Sequence, residues 1–571
     1  MKKPSMKILY AVMIVVLTLA GQSLTAQVAF DFSEEAVISR MKEDVYTLAS
    51  EEMEGREAGT EGERKAAAYI KERMQEIGLE PLFGDAYYQD FTFPGEWIWG
   101  EDNYFTYLDH TFVHGDDYYA FPGSESGKVS GSFVHVGYGL TGLEGVEGYE
   151  NYCDYALHGD IEGKVFIMEV FVPEALDSLV DAAPFQILQQ KVSVASERGA
   201  AGVIFVNTRS SRGDPPLNLR VPANLFDLPL IFAEDHVLHA LMGDQTGTID
   251  MEVDVSREEV TSMNVAGYID NGAPRTVVVG GHYDHVGWGG RGSRSPGVQA
   301  IHYGADDNAS GTAGVLEAAR YVAGSDLTSH NYLFIAFGAE EKGLIGSRHF
   351  TGSDAYDMER INYMFNMDMI GRLEDETLTL IGTGSSPSWD GLIDRHTPEG
   401  MTVRKNPGGR GGSDHTSFYV KDIPVLFFFT GIHDDYHRPE DTADRVNYEG
   451  AAEIVSFAID MMKDIDRRGD RLAFSSTSTT DDAPARMEGV TLGLMPDHGY
   501  EGEGLRVLAV SDDRPAQKGG IENGDVIVRI NDMDILEIQT YMEALNSLSA
   551  GDLVSVTVVR EGDEHVMEVE L

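Results

Sequence analysis

Cysteine is nearly absent: Cys153 is the only one in 571 residues. That excludes an intramolecular disulfide framework and any multi-cysteine zinc site. Cationic residues are scarce as well, 43 Lys and Arg against 95 Asp and Glu, for a formal charge of −52. A general grip on nucleic acid needs clustered Lys and Arg to neutralise phosphates, so no nucleic-acid partner is expected. The apolar run near the start, Ile8 to Ala20, has 13 residues, short of the ~20 that span a bilayer. No His-Glu-x-x-His string occurs, which removes the metalloproteases built on that helix. Disorder throughout is excluded in turn, because 42% hydrophobic content suffices for buried cores.

What is present begins with a leader pattern. Lys2, Lys3 and Lys7 precede the apolar run, and Ser23-Leu24-Thr25-Ala26 follows as a small-residue stretch. Together they predict a signal peptide over 1–26 and an exported protein, periplasmic or extracellular, with no stable membrane anchor. At roughly 150 residues per domain the remaining length predicts three or four units. Ser33 to Leu79 reads as two helices interrupted by Gly55-Arg-Glu-Ala-Gly-Thr-Glu-Gly, and a β-rich stretch follows to about Tyr138. Strands are expected at Lys164–Val170, Ala201–Val206 and Leu228–Phe232, with a helix at Gln186–Arg198. From Asn264 apolar runs at Thr276–Gly280, Tyr332–Phe337, Asn362–Asn366 and Pro424–Phe429 alternate with helical segments such as Ala309–Ala323 and Gly450–Met462. That alternation predicts an α/β domain with a doubly wound, mostly parallel sheet. The tract from Ser475 to Pro484 is polar and aperiodic, a linker over 467–486. A compact β-rich unit with one helix near Glu537–Leu548 closes the chain.

Five polar clusters stand directly after the apolar strands. They are Gly280-Gly-His282-Tyr-Asp284, Gly304-Ala-Asp306-Asp307-Asn308, Gly338-Ala-Glu340-Glu341, Asn366-Met-Asp368 and Asp435-Tyr436-His437. In an open α/β sheet ligands bind at the carboxyl ends of strands, so clusters distant in sequence converge on one rim. Two histidines with several carboxylates form the mixed nitrogen and oxygen set that suits zinc. Each cluster alone has a bland reading: Asp306 as a helix cap, Glu340-Glu341 as an acidic turn, His437 as a solvated loop residue. Their joint placement argues against five coincidences.

These strings resemble the co-catalytic zinc exopeptidases of the bacterial leucyl aminopeptidase and glutamate carboxypeptidase type, peptidase family M 28. Gly-Gly-His282-Tyr-Asp284-His285, Gly304-Ala-Asp306-Asp-Asn-Ala-Ser-Gly, Glu340-Glu341-Lys-Gly-Leu-Ile-Gly-Ser, Asn366-Met-Asp368-Met, Ser413-Asp414-His415 and Tyr436-His437 carry the likeness over Asn264–Ile454. The resemblance implies two Zn2+ per chain, with Asp306 bridging, His282 and Asp368 completing one ion and Glu341 and His437 the other. It also implies Glu340 as general base and acid, Tyr436 as a donor to the developing oxyanion, and Asp284 hydrogen-bonding His282 to fix its tautomer. Neighbouring side chains at a strand end point different ways, so Glu341 can bind metal while Glu340 stays free. Arg410 and Asp414 are expected to shape the substrate pocket, and Tyr303 to tune it. His285 receives no role.

The flanking units bear their own resemblances. Gly137-Tyr-Gly, Gly163-Lys-Val-Phe-Ile and Arg198-Gly-Ala-Ala-Gly-Val-Ile-Phe resemble a protease-associated domain over 131–255, inserted between peptidase segments 27–130 and 256–466. Cys153 inside it is expected to be a buried apolar residue. Leu492-Gly493-Leu494, Pro515-Ala-Gln-Lys-Gly-Gly-Ile521 and Asn523-Gly524-Asp525 resemble a bacterial protease-type PDZ domain over 487–571. Its Leu-Gly-Leu loop would present backbone N–H groups to peptide C-termini. The expected activity is a secreted zinc aminopeptidase acting on peptides. A carboxypeptidase or glutaminyl cyclase on the same fold, and a non-catalytic receptor or adhesion protein, are the alternatives.

Overall fold

In the computed structural model, the apolar runs form the middle of one nine-stranded sheet. The structure describes residues 30–571 except 142–151, 174–175, 177–183, 210–224, 244–246, 291, 296, 478–491, 497–503, 511–513, 523, 532, 536–539, 542–543, 546–547, 549–551 and 561. The leader pattern, the second part of the linker (478–486) and most of the helix expected near Glu537–Leu548 lie outside the described residues.

Strand Thr276–His282 is flanked in parallel by Asn331–Phe337 on one side and Ile361–Met367 on the other, and Ile361–Met367 pairs in parallel with Val425–Phe429. Antiparallel strands border this block: Val255–Ile269 beside Asn331–Phe337, and Thr377–Ile381 beside Val425–Phe429. Tyr88–Trp99 extends the sheet by pairing with Val255–Ile269, and Thr402–Asn406 pairs in parallel with Thr377–Ile381.

Side chains alternate across each strand, so the sheet feeds two cores. Val277, Val279, Phe334 and Phe365 pack with helices Glu34–Leu48, Glu61–Ile77, Gly311–Ala323 and Tyr448–Arg468. Val278, Leu333, Ile335 and Met364 pack on the other face with Phe350 and Phe418. Each such aliphatic side chain, fully buried, contributes about 1.5–3 kcal/mol. Helix Tyr448–Arg468 starts where the Asn447 side chain accepts from Gly450 N and stops at Gly469 with φ 64°, a left-handed cap that glycine adopts without strain. The α/β expectation holds, with antiparallel borders added to a parallel centre.

The insert contains a five-stranded sheet in the order Tyr118–Ala120, Leu230–Ala233, Gly202–Val206, Val165–Glu169, Phe133–His135. A four-stranded sheet joins His110–Phe112, Tyr104–Tyr107, Ile249–Val253 and Gly127–Gly131. Tyr104–Tyr107 and Tyr118–Ala120 both pair within this unit, so it begins before residue 131. Lys191 is fully buried there and donates to the carbonyls of Glu169, Val170 and Phe171. Cys153 is half-buried, with Sγ 3.8 Å from an Arg198 nitrogen. The C-terminal unit is a six-stranded antiparallel sheet with a short helix at Pro515–Lys518.

Candidate metal centre and active site

Every chemistry-bearing cluster hangs on the carboxyl end of a central strand or on a loop folded over that end. His282 terminates Thr276–His282, Glu340 and Glu341 follow Asn331–Phe337, and Asp368 follows Ile361–Met367. Gly281 leaves room for this convergence: a Cβ there would fall 2.3 Å from the Met367 carbonyl oxygen. Asn308 ties the ends together, donating to the His282 and Met367 carbonyls and accepting from Gly311 N and Met369 N.

The structure turns Asp307, not Asp306, into the centre. Asp307 and Asn308 leave helical backbone angles, and the two adjacent carboxylates therefore point apart. Asp306 Oδ1 accepts from Gly371 N at 2.6 Å and Ser310 Oγ at 3.0 Å, and Oδ2 lies 3.2 Å from His433 Nε2. Asp307 instead divides its oxygens: Oδ1 lies 3.3 Å from His282 Nε2, and Oδ2 lies 3.1 Å from His437 Nε2. On the first side stands Asp368, Oδ1 3.3 Å from His282 Nε2, its Oδ2 accepting from Ser413 Oγ at 2.6 Å. On the second side Glu341 Oε2 lies 3.1 Å from His437 Nε2. Among the described residues two groups of potential metal-binding atoms result, His282 with Glu340 and Asp368, and His285 with Asp307, Glu341 and His437.

The donor set fits a cation. His437 Nδ1 is 2.7 Å from the Gly292 carbonyl and His282 Nδ1 is 3.2 Å from the Asp284 carbonyl. Both must donate there, so in the neutral rings the Nε2 lone pairs face carboxylate oxygens. Two acceptors facing each other in a buried site need a proton or a metal ion between them. Asp307 Oδ2 and His437 Nε2 are buried without a hydrogen bond. The same crowding sets the charges. Burial lowers the affinity of His282 and His437 for a proton, yet the facing carboxylates outweigh it and hold both rings well above the usual imidazole value. Burial raises Glu341, but His437 prevails and brings it to about 2.

Asp284 faces His282 and also holds the neighbouring turn. Its carboxylate accepts from Glu340 N at 2.9 Å and Glu341 N at 3.2 Å, holding the turn that carries both acids. Its side chain stands 3.7 Å from His282 Nδ1. Glu340 Oε2 is 3.9 Å from His282 Nε2. Burial, with Asp368, Asp414 and Glu341 adding to it against His282, holds Glu340 well above the usual carboxylate range. Tyr436 stacks on His437, ring centroids 3.9 Å apart. Burial and the surrounding carboxylates keep its phenol protonated, so it is a neutral donor. Asp414 is fully buried, and burial pushes it up to about 7. Arg410 lies apart, its guanidinium 5.8 Å from the Tyr419 ring centroid. It lines a cavity of about 540 Å³ shared with Phe474, Val510 and Ile521. Tyr303 supplies a carbonyl to Arg56. In the C-terminal unit Leu492 is fully buried and its carbonyl accepts from Ala516 N, Gly493 adopts φ +73°, and Leu494 pairs with Val510.

Two participants escaped the sequence reading. His285 is fully buried with Nδ1 2.9 Å from Glu341 Oε1; its place in His282-Tyr-Asp284-His285 was the available signal. Arg56 is fully buried and donates to the carbonyls of Leu48, Tyr283, Tyr303 and Gly304, stitching the opening segment to both site loops.

Residues 264–462 match the model of peptidase family M28, and residues 477–571 match that of a PDZ domain. Aminopeptidase YwaD of Bacillus subtilis is 27% identical over 471 residues, covering 78% of this chain and 90% of the relative. An aminopeptidase of Pseudomonas aeruginosa is 27% identical over 367 residues, covering 61% of this chain and 60% of its own. Among solved structures, a zinc aminopeptidase from Bacillus subtilis is 21% identical, covering 78% of this chain and 97% of that one with a TM-score of 0.41. The chain resembles the co-catalytic zinc exopeptidases of peptidase family M28, with a PDZ domain behind the catalytic one, and is a metallo-exopeptidase of the aminopeptidase class.

Proposed function

We propose that this protein removes N-terminal residues from peptides with two zinc ions, held by His282, Asp307 and Asp368 on one side and by Asp307, Glu341 and His437 on the other. The observation that carries the reading is the divided Asp307 carboxylate, one oxygen opposite each histidine. Zinc bound there supplies a Lewis acid for the scissile carbonyl and acidifies water. The rest is the work of the side chains. Glu340, beside the His282 group but not needed as a ligand, takes a proton from the attacking water on its carboxylate. It then delivers that proton to the nitrogen of the leaving amine. The amides of Glu340 and Glu341, pinned on Asp284, keep base and ligand facing different ways. Tyr436 donates its O–H to the carbonyl oxygen as negative charge gathers on it.

The finer assignments belong to the same proposal. The leader pattern supports export, and the described residues contain no helix long and apolar enough to cross a membrane. The insert resembles a protease-associated domain and would gate substrate or contact a partner. The Leu492-Gly493-Leu494 loop would receive peptide C-termini while the metal centre trims from the other end. Asp414 would act at the pocket and Arg410 on the side facing the C-terminal unit.

Aminoacyl-nitroanilides and N-blocked peptides test the reading, with and without chelator. Hydrolysis of free-amine substrates alone, lost on chelation and restored by zinc, is expected. Glu340→Gln should retain both ions and lose turnover. Cleavage of N-blocked peptides from the C-terminus would assign the protein to the carboxypeptidases instead.

A further inference from the structure

We infer that His285 is a third imidazole donor of the metal centre, so that the ion beside Glu341 and His437 has four protein donors while the ion beside His282 and Asp368 has three. The inference rests on the two-ion reading given above. His285 Nδ1 lies 2.9 Å from Glu341 Oε1 and 3.7 Å from Asp307 Oδ2, while His437 Nε2 lies 3.1 Å from both Glu341 Oε2 and Asp307 Oδ2. Zinc bonds of about 2.0–2.2 Å in a tetrahedral shell separate neighbouring donor atoms by about 3.3–3.5 Å. These distances, two of them to different oxygens of Glu341, fall on either side of that value, and each of the four residues presents one donor atom within 4.8 Å of the others.

The ring is held where it stands. His285 N donates to the Arg56 carbonyl at 3.2 Å. Its ring packs against Gly304, where a Cβ would fall 2.6 Å from two ring carbons and where φ is +56°. Any larger residue at 304 would displace the imidazole, so the glycine keeps Nδ1 turned to the carboxylates.

Donor number then divides the labour. A shell of four protein donors is the closed arrangement, whereas three leave a position open. The open position therefore lies on the His282 and Asp368 side, the side on which Glu340 stands. It also follows that the ion beside His285 is bound first and released last.

X-ray absorption at the zinc edge of the two-zinc protein counts the rings directly. Three imidazoles over two ions predict about 1.5 per zinc in the wild type, falling to about 1.0 in His285→Ala. Calorimetric titration of the metal-free protein should show two separated steps, the tighter weakened at least 10- to 100-fold by His285→Ala with the other unchanged. His285→Asn, which keeps an N–H for Glu341, should behave like His285→Ala. About 1.0 imidazole per zinc in the wild type, or an Asn variant with an intact tight step, would reduce His285 to a hydrogen-bond donor and overturn the inference. A wild type that binds fewer than two zinc ions would instead overturn the two-ion reading beneath it.

Discussion

Replacing Asp306 and Asp307 separately by Asn is a matched pair that turns on which carboxylate faces the ions. Asp307 offers one oxygen to each side, 3.3 Å from His282 Nε2 and 3.1 Å from His437 Nε2. An amide keeps one oxygen, puts an N–H donor in place of the other, and removes the charge shared by both ions. Per unit of charge at a bond length of ~2.1 Å and an effective dielectric of ~20, that is about 8 kcal/mol. Half of it, allowing for relaxation, is about a thousandfold in affinity. Asp306 touches only protein: Gly371 N, Ser310 Oγ and His433. Asp306→Asn keeps an acceptor for the amide and the hydroxyl, so its cost should stay within the 10- to 100-fold expected of an outer partner. Zinc content after dialysis against a micromolar chelator, with circular dichroism to confirm folding, separates the two variants. Asp307→Asn should retain at most one ion and show no peptidase activity, whereas Asp306→Asn should retain both. An Asp306→Asn protein stripped of zinc beside an Asp307→Asn protein that keeps two ions would refute the assignment.

Three further outcomes are expected. Arg56→Lys replaces a fork that satisfies four carbonyls, three of them in buried bonds, by a group with three donors. It should cost about 1–3 kcal/mol in urea unfolding of the metal-free protein, and a loss under about 0.5 kcal/mol would remove Arg56 from the framework of the site. Glu63 is raised to about 8 by burial, against the hydrogen bonds from Ser262 and Gly59. Its folded-state value lies above its unfolded one, so its contribution is full below the unfolded value of 4.5 and lost as pH rises through about 8. Glu63→Gln should flatten the stability-versus-pH profile between those limits, and an unchanged slope would contradict the burial argument. Removing residues 477–571, the segment matched to a PDZ domain, should raise KM for long peptides and leave dipeptide substrates unchanged; equal KM values across lengths would leave that domain without a role in substrate capture.

The strand ends were legible because a strand buried on both faces reads as an unbroken apolar run, and the residue after it must leave the sheet. Val277 to Val279 and Leu333 to Ile335 announce themselves in this way. Thr377–Ile381 and Thr402–Asn406 did not, since the first merely alternates and the second is largely exposed. Within the site, residue type and order sufficed for His282, Glu341, Asp368 and His437 to be brought together. Orientation was not legible in the same way. Asp306 and Asp307 are the same side chain in adjacent positions, and only the backbone angles at Asp307 and Asn308 decide which one turns inward. Asp284 likewise sits near His282 yet spends its carboxylate on two amides, a contact set by tertiary structure alone. Arg56 lies 227 residues from the Tyr283 carbonyl it binds, beyond the reach of any local pattern.

That last span bears on when the enzyme can become active. Chain closure over hundreds of residues is a slow and late event in folding. The centre draws on Arg56, the loops at 283 and 304 and His437, so a growing chain on the ribosome has no complete centre until residue 437 has been made. A product that ends before His437 would carry the opening helices and the insert yet lack one side of the centre.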